Sequence, residues 1–319
     1  MEKRPAILAI GANPAWQKVL QFENLQHNAV NRAAQLWSFA SGKGINFARA
    51  AHNWQRADVK LLQFAGGDNG KLLLDDLAKE TLDVKTVAVE MPTRCCITCL
   101  SRADNSMTEL IEPSQAPGAA AENAALEFVQ QYMKSADGLA LCGQLPGGMS
   151  PDFYVKSVEY ACSNGRKILI DSWKNISGVL EIARNATLKI NADELAALTG
   201  INDVRSALKS LFNSSRLEYI AITDGAKTAY FADCAGNVWQ YNVPHIEQLV
   251  NPVGSGDTAS AVFFSSMLAG EAPEKAFAYA LAAASANCLS MKCAEFQLET
   301  ALELFNDIKI ALFPTRVGQ

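Results

Sequence analysis

The sequence predicts an α/β fold in which helices flank a doubly wound, mostly parallel sheet, with a small β-sheet lid beside it. The chain has 319 residues, 49% of them hydrophobic, which is enough for a substantial core. Short β-type runs alternate with helix-type segments for most of its length, the pattern of a parallel sheet with helices on both faces. Two β-rich regions interrupt this alternation and predict strands outside the main sheet.

The strands of the main sheet are predicted from short apolar runs between polar or turn residues. They span residues 6–10, 59–64, 138–142, 167–171, 188–190 and 219–223. The helix-type segments between them span residues 44–54, 70–79, 119–133, 152–162, 192–198 and 204–212. The last quarter changes character and predicts helices at residues 258–268, 273–289 and 299–304.

The lid is predicted from residues 19–39 and 84–110, where β-rich runs occur with no good helix between them. A small sheet inserted by two excursions, at about residues 14–40 and 84–112, would cover the carboxyl ends of the parallel strands, where such folds bind ligands. No repeat, linker or low-complexity tract divides the chain. We therefore expect a single domain over residues 1–319.

The charge of the chain favours a small-molecule partner. Lysine and arginine number 28 against 33 aspartate and glutamate, a net charge of −5, and there is no basic run. A protein that binds nucleic acid by neutralising phosphates is therefore not expected. The first apolar run is too short for a signal-peptide core, no apolar stretch reaches ~20 residues, and the cysteines are scattered. We expect a cytoplasmic protein that does not span a membrane.

A glycine-rich segment before a helix pattern predicts an anion site. Residues 251–259 read Asn-Pro-Val-Gly-Ser-Gly-Asp-Thr-Ala. Gly254 and Gly256 let the backbone approach a ligand closely, and the free N–H groups of the first helical turn point at one spot. Asp257 would repel a resting phosphate, which makes sense if it accepts a proton from a hydroxyl that attacks that phosphate. Capping of the helix is the alternative role for this Asp.

Two common nucleotide-binding motifs are missing from the sequence. The Gly-Lys pair at residues 42–43 is followed by Gly44, and the pair at residues 70–71 by Leu72, so there is no ordinary P-loop. After the first strand, residues 10–14 read Ile-Gly-Ala-Asn-Pro, which lacks the glycines of a dinucleotide fingerprint. A Walker-type ATPase is excluded, and NAD binding of that kind is not expected.

The glycine-rich segment resembles the C-terminal signature of the PfkB, or ribokinase-like, carbohydrate kinases. Residues 41–46, Ser-Gly-Lys-Gly-Ile-Asn, resemble the N-terminal Gly-Gly-Lys-Gly-x-Asn signature of the same family. Further landmarks of the family are matched in the right order at residues 11–15, 64–70, 142–148, 189–195 and 223–225. The resemblance spans nearly the whole chain and implies a ribokinase-like fold with a small β lid.

The resemblance also implies the parts of a phosphoryl-transfer site. Asp257 is then the catalytic base that takes the proton of the sugar hydroxyl. The backbone amides of Gly254, Ser255 and Gly256 hold the charge that develops on the transferred phosphoryl group. Other residues of the N-terminal signature are assigned to substrate binding, namely Gly42, Lys43 and Asn46.

An ATP site with Mg²⁺ follows from the same resemblance. Asn191 and Glu194 match the family's Asn-x-x-Glu, which places Mg²⁺ next to the ATP phosphates largely through water. Lys189 would touch the nucleotide phosphates, and Thr223 with Gly225 would line the nucleotide pocket. As alternatives, Asn191 could only cap the helix that follows, and residues 223–225 could be only a turn.

Residues 13–15, Asn-Pro-Ala, and 92–94, Pro-Thr-Arg, are similar to the branch that phosphorylates sugar phosphates, such as 1-phosphofructokinase and tagatose-6-phosphate kinase. Arg94 is then the ligand of the substrate phosphate, because a guanidinium on a lid strand can bind two phosphate oxygens. Lys43 adds a second positive charge near the sugar, and Asn13 belongs to the same site. The alternative for Arg94 is a solvated strand residue.

Two departures from the family pattern concern the sugar pocket. Gln17 replaces the Asp of Asn-Pro-Ala-x-Asp, and a neutral amide accepts hydrogen bonds from sugar hydroxyls less strongly than a carboxylate. Gln144 stands where the family commonly has Ser, at a position that lines the substrate phosphate. Both indicate altered specificity, or lowered activity on the usual substrates.

The sequence leaves other functions open. One is a kinase for an unphosphorylated sugar or nucleoside, and another is a catalytically silent protein that still binds sugar and nucleotide. Exposed lid strands often pair between subunits, so the lid offers a route to a homodimer.

Overall fold

A ten-stranded sheet forms the centre of the computed structural model, which describes residues 3–313. In chain order, the strands of this sheet and of a second, smaller one are β1 (Ala6–Gly11), β2 (Ala15–Phe22), β3 (Gln35–Ser41), β4 (Asp58–Ala65), β5 (Asp83–Ala88), β6 (Arg94–Ser101), β7 (Ser106–Ile111), β8 (Gly138–Cys142), β9 (Lys167–Asp171), β10 (Ala186–Asn191), β11 (Tyr219–Thr223), β12 (Ala229–Asp233), β13 (Val238–Tyr241) and β14 (Ile310–Leu312). The helices are α1 (Lys43–Trp54), α2 (Gly67–Leu77), α3 (Ala119–Tyr132), α4 (Asp152–Ser163), α5 (Ser177–Ile182), α6 (Ala192–Thr199), α7 (Val204–Ser214), α8 (Ser255–Leu268), α9 (Pro273–Asn287) and α10 (Leu298–Phe305).

The strand order of the main sheet is β14-β13-β12-β11-β10-β9-β8-β1-β4-β5. β1 pairs in parallel with both β4 and β8, and the strands on either side continue outward from it. The strand order reverses at β1, with β4 on one side and β8 on the other. This is the topological switch point of the sheet, where the carboxyl ends of the strands leave a crevice for a ligand. The predicted doubly wound, mostly parallel sheet is confirmed.

A four-stranded sheet in the order β3-β2-β6-β7 is separate from the main sheet. β2 pairs antiparallel with β3 and parallel with β6, which joins the two predicted excursions in one sheet. Val19 and Phe39 on its inner face pack with Val253 and Cys293 of the main body. This small sheet is the predicted lid, and its inner face is held against the segment that leads into α8.

The predicted boundary of the second excursion is wrong at its start. Residues 83–88 form β5, which pairs in parallel with β4 and so belongs to the main sheet. β5 is an edge strand with half-buried and exposed residues, so its sequence lacks the continuous apolar run of the inner strands. The lid strands of this excursion, β6 and β7, span residues 94–111.

Three antiparallel strands extend the main sheet beyond β11, and the sequence analysis did not predict them. β12 pairs with β11, β13 with β12, and β14 with β13. All three strands are short, at three to five residues; β12 is largely buried, whereas β14 is exposed along its length, so the three give little length of strand pattern to detect. The last quarter is otherwise helical, as predicted.

Helices cover both faces of the main sheet and divide the core into two clusters. Trp54, Phe263 and Phe277 on α1, α8 and α9 belong to one, and Phe153 and Leu208 on α4 and α7 to the other. α8 packs against both α1 and α9, and its residues 257–267 are buried for this reason. The burial of α8 fixes the position of its N-terminal turn.

Across residues 3–313, no helix combines the length and the apolar character that crossing a membrane requires.

Candidate active site

Gly42 turns the chain from lid strand β3 into helix α1. Its φ of 111° lies in the region that favours glycine, and a Cβ here would lie 2.8 Å from the Cα of Pro14. α1 then begins against the end of β1, because a Cβ on Gly11 would lie only 2.6 Å from the Cα of Gly44. The tight approach brings the first turn of α1, with Lys43, to the switch point of the sheet.

The N-terminus of α8 presents free amide groups. Gly254 caps this helix in the left-handed region, with a φ of 85°. The Ser255 amide donates to the carbonyl oxygen of Pro252 at 3.2 Å, which contradicts the prediction that it faces a ligand; the tight turn into the helix closes this bond. Among residues 3–313, the amides of Gly254, Gly256 and Asp257 find no backbone acceptor. Such free amides favour an anion.

Asp257 lies in the first turn of α8 and is only 7% exposed. Its Oδ2 accepts a hydrogen bond from Asn46 Nδ2 at 2.7 Å, and its Oδ1 lies 3.7 Å from Lys43 Nζ. Burial raises the pKa of the Asp257 carboxyl; Lys43 opposes this effect, and the charge of Asp171 adds to it. A carboxylate with a raised pKa holds a proton more readily, as a general base must.

Asp171 is a site residue that the sequence analysis missed. It ends β9, where its Oδ1 accepts from Lys43 Nζ at 2.7 Å and its Oδ2 from Ser260 Oγ at 2.7 Å. Burial opposes its ionisation, but the positive charges of Lys43 and Lys189 outweigh burial and lower the pKa of Asp171. The available signal was a carboxylate at the end of an apolar strand, because parallel strands end at the ligand edge of the sheet.

Lys43 bridges these two carboxylates from the first turn of α1. Burial lowers the pKa of its ammonium group, but the charges of Asp171 and Asp257 outweigh burial and raise the pKa above its ordinary value. Lys43 is therefore a cation at neutral pH. Its side chain remains 38% exposed, so it can contact a ligand as well as the two carboxylates.

Lys189, one of the predicted nucleotide-binding residues, contacts the glycine-rich segment. It lies in β10, is 4% exposed, and its Nζ donates to the carbonyl oxygen of Gly256 at 3.0 Å. Burial lowers the pKa of Lys189, and the negative charge of Asp171 opposes that effect. The structure thus brings a buried cation to the start of α8, close to Asp257.

Asn191 and Glu194 form a capping box at the start of α6. Asn191 Oδ1 accepts from the Glu194 amide at 2.8 Å, and Glu194 Oε2 accepts from the Asn191 amide at 3.0 Å. Asn191 therefore caps α6, the alternative role considered for it in the sequence analysis. Thr223 lies in register with Asn191 on the neighbouring strand β11, and Gly225 follows with open space around it. The predicted nucleotide residues share one edge of the sheet.

The donors at this edge fit Mg²⁺ held through water better than a site made of protein ligands alone. In the described part of the chain, no group of three or more His, Cys, Asp or Glu side chains could hold a metal ion. Mg²⁺ usually keeps several waters and binds through one or two carboxylates together with substrate phosphates. Glu194 supplies one carboxylate, near enough to Lys189 for its charge to oppose, in small part, the lowering of the Lys189 pKa by burial.

Arg94 begins β6 at the base of the lid. Its Nη2 donates to the carbonyl oxygen of Asn13 at 3.2 Å. Its Nε is buried and has no hydrogen-bond partner among residues 3–313. A buried cationic donor without a partner is destabilising unless an acceptor on a ligand satisfies it. Arg94 and Asn13 thus lie together at the base of the lid.

The two departures from the family pattern, Gln17 and Gln144, are not joined to the reacting groups. Gln17 is 4% exposed, and its Nε2 donates inside the lid to Thr98 Oγ1 at 2.9 Å. Gln144 is exposed just after β8. Within the range the structure describes, neither side chain hydrogen-bonds to Asp257 or Arg94.

This arrangement can remove a proton from an alcohol while it stabilises negative charge nearby. Asp257 is a buried carboxylate that could accept this proton, and the free amides belong to the same helical turn. Lys43 lies 3.7 Å from this carboxylate and Lys189 donates to the carbonyl oxygen of the preceding residue, so both supply positive charge nearby. A doubly wound sheet, a separate lid sheet and such a site define an α/β phosphotransferase.

The chain belongs to the pfkB family of carbohydrate kinases, whose family model matches residues 7–301. It is thus a carbohydrate kinase, a phosphotransferase with an alcohol group as acceptor. The resemblance drawn from the signatures in the sequence is confirmed.

Solved structures with the same fold are similar over nearly the whole chain. Phosphofructokinase-2 from Escherichia coli in complex with substrates and products has a TM-score of 0.85 at 23% identity, covering 94% of this chain and 98% of its own. The tetrameric inhibited form of that protein has a TM-score of 0.83 at 23% identity, covering 95% and 99%. A possible 1-phosphofructokinase from Thermotoga maritima has a TM-score of 0.81 at 18% identity, covering 97% and 100%. These likenesses confirm the ribokinase-like fold.

Proposed function

We propose that this protein is an ATP- and Mg²⁺-dependent kinase that transfers the γ-phosphoryl group of ATP to a hydroxyl of a sugar phosphate. 1-Phosphofructokinase and tagatose-6-phosphate kinase are the nearest named activities. The observation that carries the proposal is Asp257, a buried carboxylate held by Asn46 beside free amides at the start of α8. Arg94 supports the sugar-phosphate class, because its buried Nε has no partner among the described residues.

On the acceptor side, Asp257 takes the proton of the attacking hydroxyl. As the new bond between the sugar oxygen and the γ-phosphorus forms, the bond from that phosphorus to the β-phosphate oxygen breaks and ADP leaves. The proton ends on the Asp257 carboxyl, whose raised pKa favours this transfer. Lys43 lies 3.7 Å from Asp257 and offsets negative charge at the same place.

On the donor side, the free amides of Gly254 and Gly256 stabilise the charge on the transferred group. Lys189 contacts the nucleotide phosphates, and Thr223 with Gly225 lines the nucleotide pocket. When bound, Mg²⁺ neutralises phosphate charge, and Asn191 and Glu194 would hold it through water.

On the sugar side, Arg94 binds the substrate phosphate from the base of the lid. Its guanidinium can give two parallel hydrogen bonds to phosphate oxygens, which adds direction as well as charge. The remaining sugar contacts are assigned to Asn13, Gln17, Gly42, Lys43, Asn46 and Gln144.

Replacement of Asp257 by Asn tests the chemistry. The variant keeps size and hydrogen bonding but cannot take a proton, so kcat should fall by about 10²- to 10⁴-fold while ATP still binds. The assay is ATP-dependent phosphorylation of fructose 1-phosphate, tagatose 6-phosphate, fructose 6-phosphate, plain sugars and nucleosides. Asp152→Asn is a matched control, an exposed Asp in the first turn of α4. An unchanged rate in Asp257→Asn would reject the mechanism.

A kinase for an unphosphorylated sugar or nucleoside is the second candidate. It stays open because the Gly-Lys-Gly of residues 42–44 is equally typical of ribokinase-like enzymes that act on plain sugars. For a sugar phosphate, Arg94→Ala should raise KM by about 10- to 100-fold, the value of a charge-assisted hydrogen bond. For an unphosphorylated substrate KM should stay unchanged. Arg102→Ala, an exposed lid arginine, is the control.

Turnover of none of these acceptors, with binding of ATP and sugar intact, would instead support a catalytically silent homologue. Calorimetric titration with ATP and each sugar separates this outcome from a misfolded preparation.

We also propose a single cytoplasmic domain that forms a homodimer through its lid. The outer lid face is defined as Leu20, Leu36, Ile97 and Leu110, which lie on the same side of the sheet. Leu20 pairs with Leu36 and Ile97 pairs with Leu110, and the two pairs are offset by one same-face position between β2 and β6. Leu36 is 58% exposed and Leu110 54% exposed, an apolar surface suited to burial against a second lid.

A further inference from the structure

A buried arginine, Arg49, lies behind the proposed catalytic base. It is on α1, one turn after Asn46, and is only 3% exposed. Its Nε and Nη2 donate to the two carboxylate oxygens of Glu80, both at 2.9 Å, in a bidentate pair. Its other donors go to Ala40 O at 2.9 Å, Cys293 O at 2.8 Å and Asn46 Oδ1 at 3.4 Å. All five N–H groups of the guanidinium thus have acceptors.

These acceptors come from separate parts of the fold. Ala40 is near the end of lid strand β3, Glu80 follows α2, and Cys293 is in the segment after α9. Lys292, also in that segment, contacts Glu80 at 2.8 Å. Burial raises the pKa of the Glu80 carboxyl, but its bonds with Arg49 and Lys292 outweigh burial and lower it. Arg49 therefore stays fixed by a paired charge.

Arg49 helps to decide which way the Asn46 amide points. Asn46 Oδ1 faces two donors, Ser41 Oγ at 3.1 Å and Arg49 Nη1 at 3.4 Å. The amide nitrogen must then face the opposite way, where it donates to Asp257 Oδ2 at 2.7 Å. A flipped amide would set its oxygen against the carboxylate and its nitrogen against the Arg49 guanidinium, which can only donate, whereas the Ser41 hydroxyl could turn and accept. The buried guanidinium makes this flip unfavourable.

We infer that Arg49 is a positioning residue that acts on Asp257 through Asn46, by holding the amide in the orientation that donates to the carboxylate. The inference rests on the proposed function of Asp257 as base. Arg49 touches neither substrate nor nucleotide in this role. Arg49 also hydrogen-bonds to the base of the lid, because its Nη2 donates to the carbonyl oxygen of Ala40 on β3.

The inference has a signature in the pH profile. The Asn46 hydrogen bond lowers the pKa of Asp257, so its loss must raise that pKa and move the acid limb of the kcat/KM profile to higher pH. An arginine that acts on Asp257 only by its charge would leave the limb in place in Arg49→Lys, which keeps the charge, so this variant separates positioning from electrostatics. Other titratable groups interact with Asp257 and are unaltered by a change at Arg49, namely Lys43, Lys189, Asp171, Glu109, Cys142 and Cys293.

The experiment compares Arg49→Gln, Arg49→Lys, Asn46→Ala and the double variant Asn46→Ala/Arg49→Gln. Arg49→Gln should lower kcat by about 10- to 100-fold, raise the acid limb by about one pH unit and leave the KM for ATP unchanged. Arg49→Lys keeps a positive charge next to Glu80 but lacks the planar guanidinium that also reaches Asn46. It should therefore be more stable than Arg49→Gln, while its acid limb stays shifted to higher pH. Lys292→Met is the matched control, since it removes a cation from Glu80 without touching Asn46.

The double variant tests the route. If Arg49 acts through Asn46, the double variant should match Asn46→Ala in kcat within about twofold. The inference would be overturned if the losses in kcat of the two single variants multiplied in the double variant. It would also be overturned if the acid limb stayed at its wild-type pH in the folded Arg49 variants. Should Arg49→Gln fail to fold, Arg49→Lys supplies the same comparison.

A readout without turnover separates this inference from the proposed function. Carboxyl ¹³C NMR of protein labelled at aspartate, with the Asp257 signal assigned by Asp257→Asn, follows the titration of that group directly. A wild type inactive on every acceptor would defeat the proposed function alone. The NMR midpoint would still decide the inference, because it should be higher in the Arg49 variants and an equal midpoint refutes the positioning role.

Discussion

Replacement of Asp171 by Asn should move the acid limb of the kcat/KM profile to lower pH. Asp171 and Asp257 contact the same ammonium nitrogen of Lys43, at 2.7 Å and 3.7 Å. At a separation of about 6 Å and an effective dielectric constant of about 20, their carboxylates repel by about 3 kcal/mol, or about two pKa units. This repulsion disappears in the variant.

The direction of the shift follows from the charges. The negative charge of Asp171 raises the pKa of Asp257, so its removal lowers that pKa. Lys43 also loses its closest anionic partner and interacts more strongly with Asp257. Both changes favour the ionised base, so activity should persist about one to two pH units further into the acid range.

The same substitution should lower stability moderately. The two oxygens of Asp171 accept from Lys43 and from Ser260, whereas an Asn has only one acceptor oxygen. The Lys43 side chain is 38% exposed and can regain water, so we expect a cost of about 1–3 kcal/mol and a fall in Tm of about 2–6 °C.

Initial rates across the pH range, with circular dichroism to show that the variant is folded, measure both effects. Asp152→Asn, on α4 and outside the cluster of Lys43, Asp171 and Asp257, should leave the acid limb at its wild-type pH. An acid limb of Asp171→Asn that coincides with wild type, or moves to higher pH, would refute the electrostatic reasoning.

Two further predictions concern the loop before α8 and the lid. Gly254→Ala should lower the free energy of unfolding by about 1–3 kcal/mol, because φ is 85° and the new Cβ would lie 3.0 Å from the Ala294 amide. Calorimetry should show a smaller loss for Gly200→Ala, which has a φ of 71° but open space; equal losses would exclude a role for the contact. Leu110→Asp on the outer lid face should convert a dimer to a monomer in light scattering, whereas Leu302→Asp should not. A dimer that persists in Leu110→Asp would reject assembly through this face.

The sequence was informative where the signal is local. Residues 251–257 and 41–46 carry glycines of the kind that a tight turn before a helix requires. Both segments do turn into helices at the switch point, with Gly42 and Gly254 at positive φ. The inner strands of the sheet were predicted for the same reason, since a strand buried on both faces must be apolar throughout.

The sequence was less informative where partners decide the structure. β5 and β14 are the edge strands of the main sheet, and β12 and β13 form the antiparallel extension next to β14, so these strands lack the long apolar runs of the parallel centre. Asp171 and Arg49 were missed because a single Asp or Arg carries no pattern. Their roles arise only when Lys43, Asn46 and Glu80, far apart in the chain, meet them.

The sequence by itself determined the fold class, the family and the segment that contains Asp257, because periodicity, glycine positions and signatures are properties of neighbouring residues. Only the tertiary structure decided that the Ser255 amide is bonded to Pro252 and that two carboxylates share Lys43. The reason is physical: the pKa of a buried group depends on charges within a few ångströms in space, and the chain brings those charges together only by folding.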